Sequence, residues 1–500
     1  MDGPILLTGA TGFVGSYVLR ELCQAGHPVV VLARPSREKS ARQRVEHSLR
    51  QASDNRAPLP ESIDVVSGNL RDNFPSVDAH GLRRMRACRT MIHAAACVQF
   101  EEKPNGDPSA TNFDGTRRLL DILKCGHLSH WLQVSTAYVA GKQRGTVDEQ
   151  DASPREFCNA YESSKWRAEQ LLHRESEKAG FRLTIARPSI VVGEFATGRT
   201  SSYQGFYRPL RAFALILKKA NRQRAGARPL SLRLDIDPSG IRNLVPVDWV
   251  ARRIVALAER HEHQETIYHL TPAKPTRNEE TIEAVRRIWN GAKITFDHGV
   301  ITGEKNKWER IFYENLGALG PYWRHDPRFD HAHLRAAFPD APCPRVDVAA
   351  IVRLLKFAEA NQWGGLKAAR HGPGFPCDWY LRHFLIDRAP RSRLRQVSSL
   401  TLTVGLQLDG PGGGVWTCRF RGGELQDVTS DTTTGADVVF AGDSSTFGEI
   451  VSGRTSARQA FFDRRFDVQG DVEMGLKMAA ILGEFVSEFP CSKLEDAACA

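Results

Sequence analysis

The sequence predicts a doubly wound α/β fold built on a parallel sheet, followed by a separate, smaller α+β domain. Three observations predict it. From residue 4 to about residue 193, short β-branched runs alternate with helical patterns; a glycine-rich turn follows the first run; and beyond about residue 390 strict alternation replaces continuous apolar runs. Near-continuous apolar strands between helices imply a sheet covered on both faces, whereas alternation implies a sheet covered on one.

The runs, in order, are PILLTGA (4–10), PVVVLAR (28–34), IDVVSGNL (63–70), TMIHAAAC (90–97), HWLQVSTAYV (130–139) and RLTIARPSIVVG (182–193). Residues 194–250 break the rhythm and read as an excursion over the carboxyl edge of the sheet, and ETIYHLT (265–271) supplies a last strand. This gives a first domain over 1–271. Residues 272–390 read as a helical, aromatic-rich substrate region and linker, with Trp308, Phe312, Tyr313, Tyr322, Trp323 and Phe329 as either core or channel lining. In 391–500, Leu400, Leu402, Val404, Leu406 and Leu408 alternate, glycine turns separate further strands, and a final helix places Met474, Met478, Leu482, Phe485 and Phe489 at helical spacing.

Composition bounds the function. The chain is 41% apolar and 25% charged, and no apolar run reaches the ~20 residues a bilayer span needs. The start lacks the basic n-region of a signal peptide. Ten cysteines without CxxC pairs read as thiols in a reducing cytoplasm. The net charge of +10 suits an anionic cofactor, a coenzyme A thioester, an acidic carrier protein or peripheral contact with a membrane; without a recognisable module, nucleic acid is the weaker partner. His325, Asp326, Asp330, His331 and His333 fit no ordinary metal spacing and read as a solvated surface, so no metal is expected.

Two motifs carry chemistry. TGATGFVG (8–15) lies between a strand and a helix: Gly9 permits a tight turn, Gly12 lets a pyrophosphate approach the backbone, and Gly15 lets the helix pack on the sheet. After the second strand stands Arg34, followed by Pro35, Ser36 and Arg37, where NAD-specific proteins usually place an acid; a guanidinium there suits a 2′-phosphate, so NADPH is preferred to NADH. The second motif is Tyr161-Glu162-Ser163-Ser164-Lys165, which puts a phenol and an ammonium on one helical face, with Lys165 expected to tune Tyr161. Thr136, at the end of the fifth run, is placed to align a substrate carbonyl, with Ser135 as the competing hydroxyl.

These residues, together with VVVLARPS, IHAAACVQFEE, Asn112-Gly115-Thr116, VSTAYVAG, YESSKWRAEQ and RPSIVVG, resemble the extended short-chain dehydrogenase/reductases, a Rossmann-type family. Within them the chain is most similar to the fatty acyl-CoA and carrier-protein thioester reductases. The resemblance implies a catalytic set of Thr136, Tyr161 and Lys165. It implies a cofactor set of Gly9, Thr11, Gly12, Phe13, Val14, Gly15, Arg34, Asn69, Leu70, Ala94, Tyr161, Lys165, Pro188, Ser189 and Ile190. Asn69 stands where many relatives carry Asp. Residues ~395–490, through GVWTCRF, GADVVFAGDSSTFGEIVSG and FDVQGDVEMGLKMAAILGEF, resemble the sterol carrier protein domain. The implied activity is NADPH-dependent reduction of a long-chain acyl thioester to aldehyde or alcohol. A sterol or isoprenoid 3-hydroxy/3-keto dehydrogenase, with or without decarboxylation, and a non-enzymatic lipid-transfer protein, remain alternatives, as does a homodimeric state.

Overall fold

The computed structural model describes residues 3–36, 39–53, 59–72, 77–152, 156–222, 230–260, 267–289, 292–296, 301, 303–316, 322, 326–364, 374–394, 401–463 and 465–491. Arg37, Trp323, His325 and Leu400 lie outside them. The chain divides into two compact units. One holds residues 1–209, 226–304 and 316–359; the other holds 210–225, 305–315 and 360–500. The helical region expected over 272–390 is therefore divided between the two.

The first unit is built on a seven-stranded parallel sheet. Its elements run β1 (Ile5–Thr8), α1 (Phe13–Gln24), β2 (Val29–Ala33), α2 (Ala41–Ala52), β3 (Ile63–Ser67), α3 (Ala79–Ala87), β4 (Thr90–His93), α4 (Gly115–Leu123), β5 (His130–Val134), α5 (Ala160–Ala179) and β6 (Arg182–Pro188). After α6 (Tyr207–Arg222) come α7 (Val247–Glu259) and β7 (Ile267–Leu270). The strand order is β7-β6-β5-β4-β1-β2-β3, with the reversal between β1 and β4 that opens a crevice at the carboxyl edge. Alternate residues of each strand feed two cores. Ile5, Leu7, Val29 and Val31 pack with Tyr17, Val45 and Ile254 of α1, α2 and α7, while Leu6, Val30, Met91 and Trp131 pack with Leu119, Leu120 and Leu172 of α4 and α5. Each such apolar side chain contributes about 1.5–3 kcal/mol on burial, which explains runs without polar interruption.

Two of the expected strands end differently. The fifth stops at Val134, because Thr136 caps a 3-10 turn over Ala137–Ala140. The sixth splits after Pro188: Ile190–Val192 leaves the large sheet and pairs in parallel with Leu244–Pro246. The excursion contains α6 and the strand Leu230–Leu234, which pairs with Ala292–Phe296. Residues 272–359 are not wholly helical. Besides α8 (Asn278–Ile288) and α10 (Val348–Ala360), Thr276–Arg277 pairs with Ile241–Arg242, and Arg328–Phe329 with Thr146–Val147.

In the second unit, β8 (Leu402–Asp409), β9 (Gly414–Arg421), β10 (Glu424–Ser430), β11 (Val438–Asp443) and β12 (Phe466–Gly470) form a mixed sheet ordered β10-β9-β8-β11-β12. Only β8 and β11 run parallel. Leu402, Val404, Leu406 and Leu408 are buried as their alternation predicts. The unit also contains α9 (Lys307–Leu316), α11 (Ser444–Val451), α12 (Ala457–Phe462) and α13 (Val472–Glu488). The buried face of α13 comprises Val472, Gly475, Leu476, Met478, Ala479, Phe485 and Val486, whereas Met474, Leu482 and Phe489 are only half-buried. The expected stripe is rotated because Gly475 brings the helix onto the sheet: a Cβ there would lie 2.4 Å from Val468 Cγ1.

Candidate active site

The glycine turn after β1 is shaped by backbone alone. Gly9 has φ +77°, and a Cβ on it would stand 2.5 Å from the Ala94 carbonyl carbon. A Cβ on Gly15 would stand 2.1 Å from the Gly9 oxygen, so this glycine lets α1 seat on the turn. A Cβ on Gly12 would meet only the Gly9 oxygen, at 3.2 Å, which leaves its outer side open. Helix α1 begins there with no side-chain cap and no acid in its first turn, so its free N–H groups and dipole suit a phosphate. Thr11, Phe13 and Val14 complete this turn.

Arg34 is exposed at the end of β2. Its carbonyl accepts a 2.5 Å hydrogen bond from Arg44 Nη1 of α2, and burial, with a lesser push from the positive charge of Arg34, lowers the Arg44 pKa. Two guanidinium groups thus repel one another at the place expected for an adenosine 2′-phosphate. Arg44 gives no signal in the sequence; it comes into place because Ser40 and Gln43 form a capping box that starts α2. Asn69 and the buried Leu70 follow β3, and Asn69 Nδ2 donates to Asp72 while its Oδ1 accepts from Arg71 N.

Between the turn and α5 runs a buried chain of hydrogen bonds. Ala95 N donates to Thr8 Oγ1, which lies 2.6 Å from His93 Nδ1; His93 Nε2 lies 3.1 Å from Thr116 Oγ1, which donates to Asn112 O. Thr116 spends its proton on that carbonyl, so it accepts from His93 Nε2–H, and Nδ1 accepts from Thr8. Burial and the Lys165 charge hold His93 neutral, with its pKa lowered to about 3. The Asn112 amide, set in a π-helical turn over Ala110–Asp114, bonds Cys97 N and O and Ser164 Oγ. Ser164 in turn donates to Tyr161 O. Only the Asn112 helix start was legible beforehand; His93 was hidden inside an apolar strand.

Thr136, Tyr161 and Lys165 come together at the carboxyl end of β5. Tyr161, in the first turn of α5, lies with its phenol near the Thr136 hydroxyl, whose own Oγ1 accepts from Tyr138 N. Lys165 is fully buried and donates to Val134 O at 2.7 Å. Burial lowers its pKa to about 8, against the pull of Glu169. Burial and the neighbouring Glu162 raise the Tyr161 phenol, and the nearby Thr136 hydroxyl opposes them. Ser135, the competing hydroxyl, and Ser189, beside Pro188 and Ile190, are buried, and their hydroxyls have no hydrogen-bond partner among the described residues. Those orphaned hydroxyls, the open glycine cradle and the uncapped helix fit a dinucleotide whose nicotinamide end lies over β5 and β6.

An aromatic wall stands beside Tyr161. The Phe100 ring lies 6.5 Å from that of Tyr161 and 5.6 Å from Tyr322, and Tyr322 meets Tyr138 edge-on at 5.3 Å. The Tyr322 hydroxyl bonds Glu162 Oε1 and Asn159 Nδ2. Tyr138 donates to Asp326, which is buried and also accepts from Asn243 N, so Asp326 is not part of a solvated surface.

Residues 7–254 match the male sterility protein family of NAD-binding domains, and residues 384–483 match the SCP-2 sterol transfer family. The chain joins an extended short-chain dehydrogenase/reductase domain to an SCP-2 domain. The reductase domain has the nicotinamide-binding architecture of an oxidoreductase family. It is 25% identical to a nonribosomal peptide synthetase of Aspergillus flavus over 58% of this chain and 28% of that protein. It is 28% identical to the L-2-aminoadipate reductase large subunit of Eremothecium gossypii over 50% of this chain and 18% of that protein. The chain thus spans less than a third of the length of these relatives. Among solved structures, the terminal R domain from the myxalamid PKS-NRPS pathway superposes with a TM-score of 0.59 at 25% identity, covering 73% of this chain and 92% of that one. A thiolation-reductase di-domain from an archaeal non-ribosomal peptide synthetase shares the fold, with a TM-score of 0.59 at 18% identity over 73% and 76% of the two chains.

Proposed function

We propose that the SDR domain is an NADPH-dependent reductase of acyl thioesters carried on a carrier protein or on coenzyme A, and that the SCP-2 domain holds a lipid acyl chain. The observation that carries this reading is the Thr136–Tyr161 hydroxyl pair beside the buried Lys165 ammonium, in a chain whose relatives include terminal reductase domains. Ten cysteines, nine of them described and all nine unpaired, accord with a cytoplasmic setting.

Thr136 and Tyr161 would hold the thioester carbonyl oxygen between them. A nicotinamide held over β5 and β6 would supply the hydride that the carbonyl carbon takes up. Tyr161 gives its proton to the oxygen, forming a hemithioacetal whose C–S bond then breaks to release thiol and aldehyde. Lys165, anchored on Val134 O, has further N–H donors for the cofactor ribose. Arg34 and Arg44 would hold the 2′-phosphate, which removes their mutual repulsion.

The test is NADPH oxidation with dodecanoyl-CoA, with thiol and aldehyde measured together. One thiol released per NADPH consumed in the first step is expected, and NADPH consumption without thiol release sinks the reading. Arg34→Ala should lower the preference for NADPH over NADH about tenfold, the value of one charge-assisted contact. A sterol oxidation, the second reading, draws on the SCP-2 match; a bound sterol that turns over with NADP⁺ would favour it.

A further inference from the structure

We propose that Val98, Phe100 and Tyr322, backed by Tyr138, form an apolar subsite that receives the aliphatic acyl chain next to the reacting carbonyl. The assignment rests on the proposed reduction of an acyl thioester at Tyr161.

Large apolar side chains are withdrawn from solvent almost throughout the described residues. Val98, at 61% exposure, and Ile386, at 43%, are the two large hydrophobics that stand out. The exposure of Val98 is imposed by a fixed backbone. Cys97 is held on both its N–H and its carbonyl by the Asn112 amide, at 2.7 and 2.9 Å, and Asn112 is itself 1% exposed. Two residues beyond Val98, Phe100 O accepts from Ala160 N at 3.0 Å, which ties the loop to the first turn of α5. The loop is therefore pinned on either side of Val98 and Gln99, and both of these are presented outward.

The position gives the exposure its meaning. The ring recorded beside Tyr161 is Phe100, with Tyr322 beyond it, so a carbonyl held at Tyr161 has this aromatic surface next to it. Tyr322 commits its hydroxyl to Glu162 and Asn159, and Tyr138 commits its own to Asp326, so each offers a ring face rather than a donor. Glu162 is buried and already bonded to Cys158 N and Tyr322, which removes the nearest carboxylate as a partner. A charged or zwitterionic substituent would find no counter-charge among these side chains. An aliphatic chain finds one aliphatic and several aromatic surfaces, and each methylene it buries is worth about a fourfold gain in affinity.

Two measurements on the full chain decide it. In the first, kcat/KM with NADPH is compared for dodecanoyl-CoA and butanoyl-CoA in the wild type and in Val98→Asp. The ratio favouring the longer chain should fall at least about tenfold, since a carboxylate in the path forfeits several methylene contacts. An unchanged ratio overturns the subsite while leaving the reductase reading intact. Failure of the wild type on both thioesters removes the reductase reading itself. The second measurement then still applies, because it needs no turnover: dodecanoyl-CoA carrying a mid-chain diazirine is photolysed on the wild-type protein and the labelled peptides are mapped. Label on the peptide containing Val98–Phe100 sustains the subsite; label absent from that peptide overturns it.

Discussion

Beneath the seven-stranded sheet, His93, Glu162, Lys165, Glu169, Arg187 and His269 are ionisable and almost wholly withdrawn from water, whereas within residues 401–491 the buried polar side chains are the hydroxyls of Thr417, Ser444 and Thr446. The first group is wired together. Arg187 grips Glu169 with bonds of 3.2 and 2.6 Å, Lys165 reaches Val134 O, and His93 links β1 to α4. The three hydroxyls of the second region each settle on a nearby acceptor, Thr432 O, Pro411 O and Asp443. Buried charge is costly and is kept where a reaction needs groups at fixed positions and altered acidity. A region that only has to accommodate an apolar molecule needs packing and no charge. The contrast is between the sheet of the first unit and residues 401–491, and it supports placing chemistry in the former and lipid holding in the latter.

The contrast can be broken, and the strongest test is Tyr161→Phe. It should lower kcat for thioester reduction about a thousandfold, within the range for losing a positioned acid, while dodecanoate bound per chain stays the same. A loss of lipid binding of similar size would erase the division of labour. His93→Ala comes next: it leaves the Thr8 hydroxyl proton without an acceptor, removes a donor from Thr116 Oγ1 and opens a cavity, and should cost about 2–4 kcal/mol in urea unfolding. Acid adds a signature. The folded state holds His93 neutral with a pKa near 3, below the ordinary value of 6.5, so its contribution is lost as pH falls from 6.5 toward 3. The variant should therefore lose less stability across that window than the wild type does.

In the packed region, Gly475→Leu forces a side chain against Val468, where even a Cβ comes within 2.4 Å, and should destabilise by about 1–3 kcal/mol. Lipid binding should fall with it; an unaltered melting temperature would show that α13 is free to shift. The mildest expectation concerns alkali. The Lys165 ammonium persists below about pH 8 and is lost above it, so kcat should decline as pH rises through that value. A flat profile to pH 10 would mean that the charge is not needed.

Much of this was legible beforehand, because strands of a covered sheet announce themselves as unbroken apolar runs and because a glycine turn and Tyr161/Lys165 spacing are local patterns. What was hidden depends on partners distant in sequence. Tyr322 was legible as core or channel lining, but its place beside Phe100 and Tyr161, 161 residues earlier, is a ring contact that no spacing encodes. Arg44 becomes relevant only when the Ser40 cap turns α2 toward Arg34. The break after Pro188 lies inside a run that reads as one strand, since both halves are β-branched and apolar. The α13 stripe, read from helical spacing, places Met478 and Phe485 correctly but not Met474, Leu482 or Phe489, because the face against the sheet is set by Gly475.

The division of the chain has a consequence for how the protein comes into being. Residues 210–225 and 305–315 belong to the same compact unit as residues 360–500, and Arg211, Lys307 and Arg310 find their carboxylates in Asp463, Asp471 and Glu473. On the ribosome these two segments emerge well before the residues they pair with. The nascent chain must carry two partly apolar helices, the first of them strongly cationic, without partners until its final third is made. A stop codon near residue 390 would therefore yield no clean reductase but a polypeptide with two adhesive stretches, a substrate for chaperones or proteases. Anyone wishing to separate the two activities should silence one of them by point substitution and leave the chain whole.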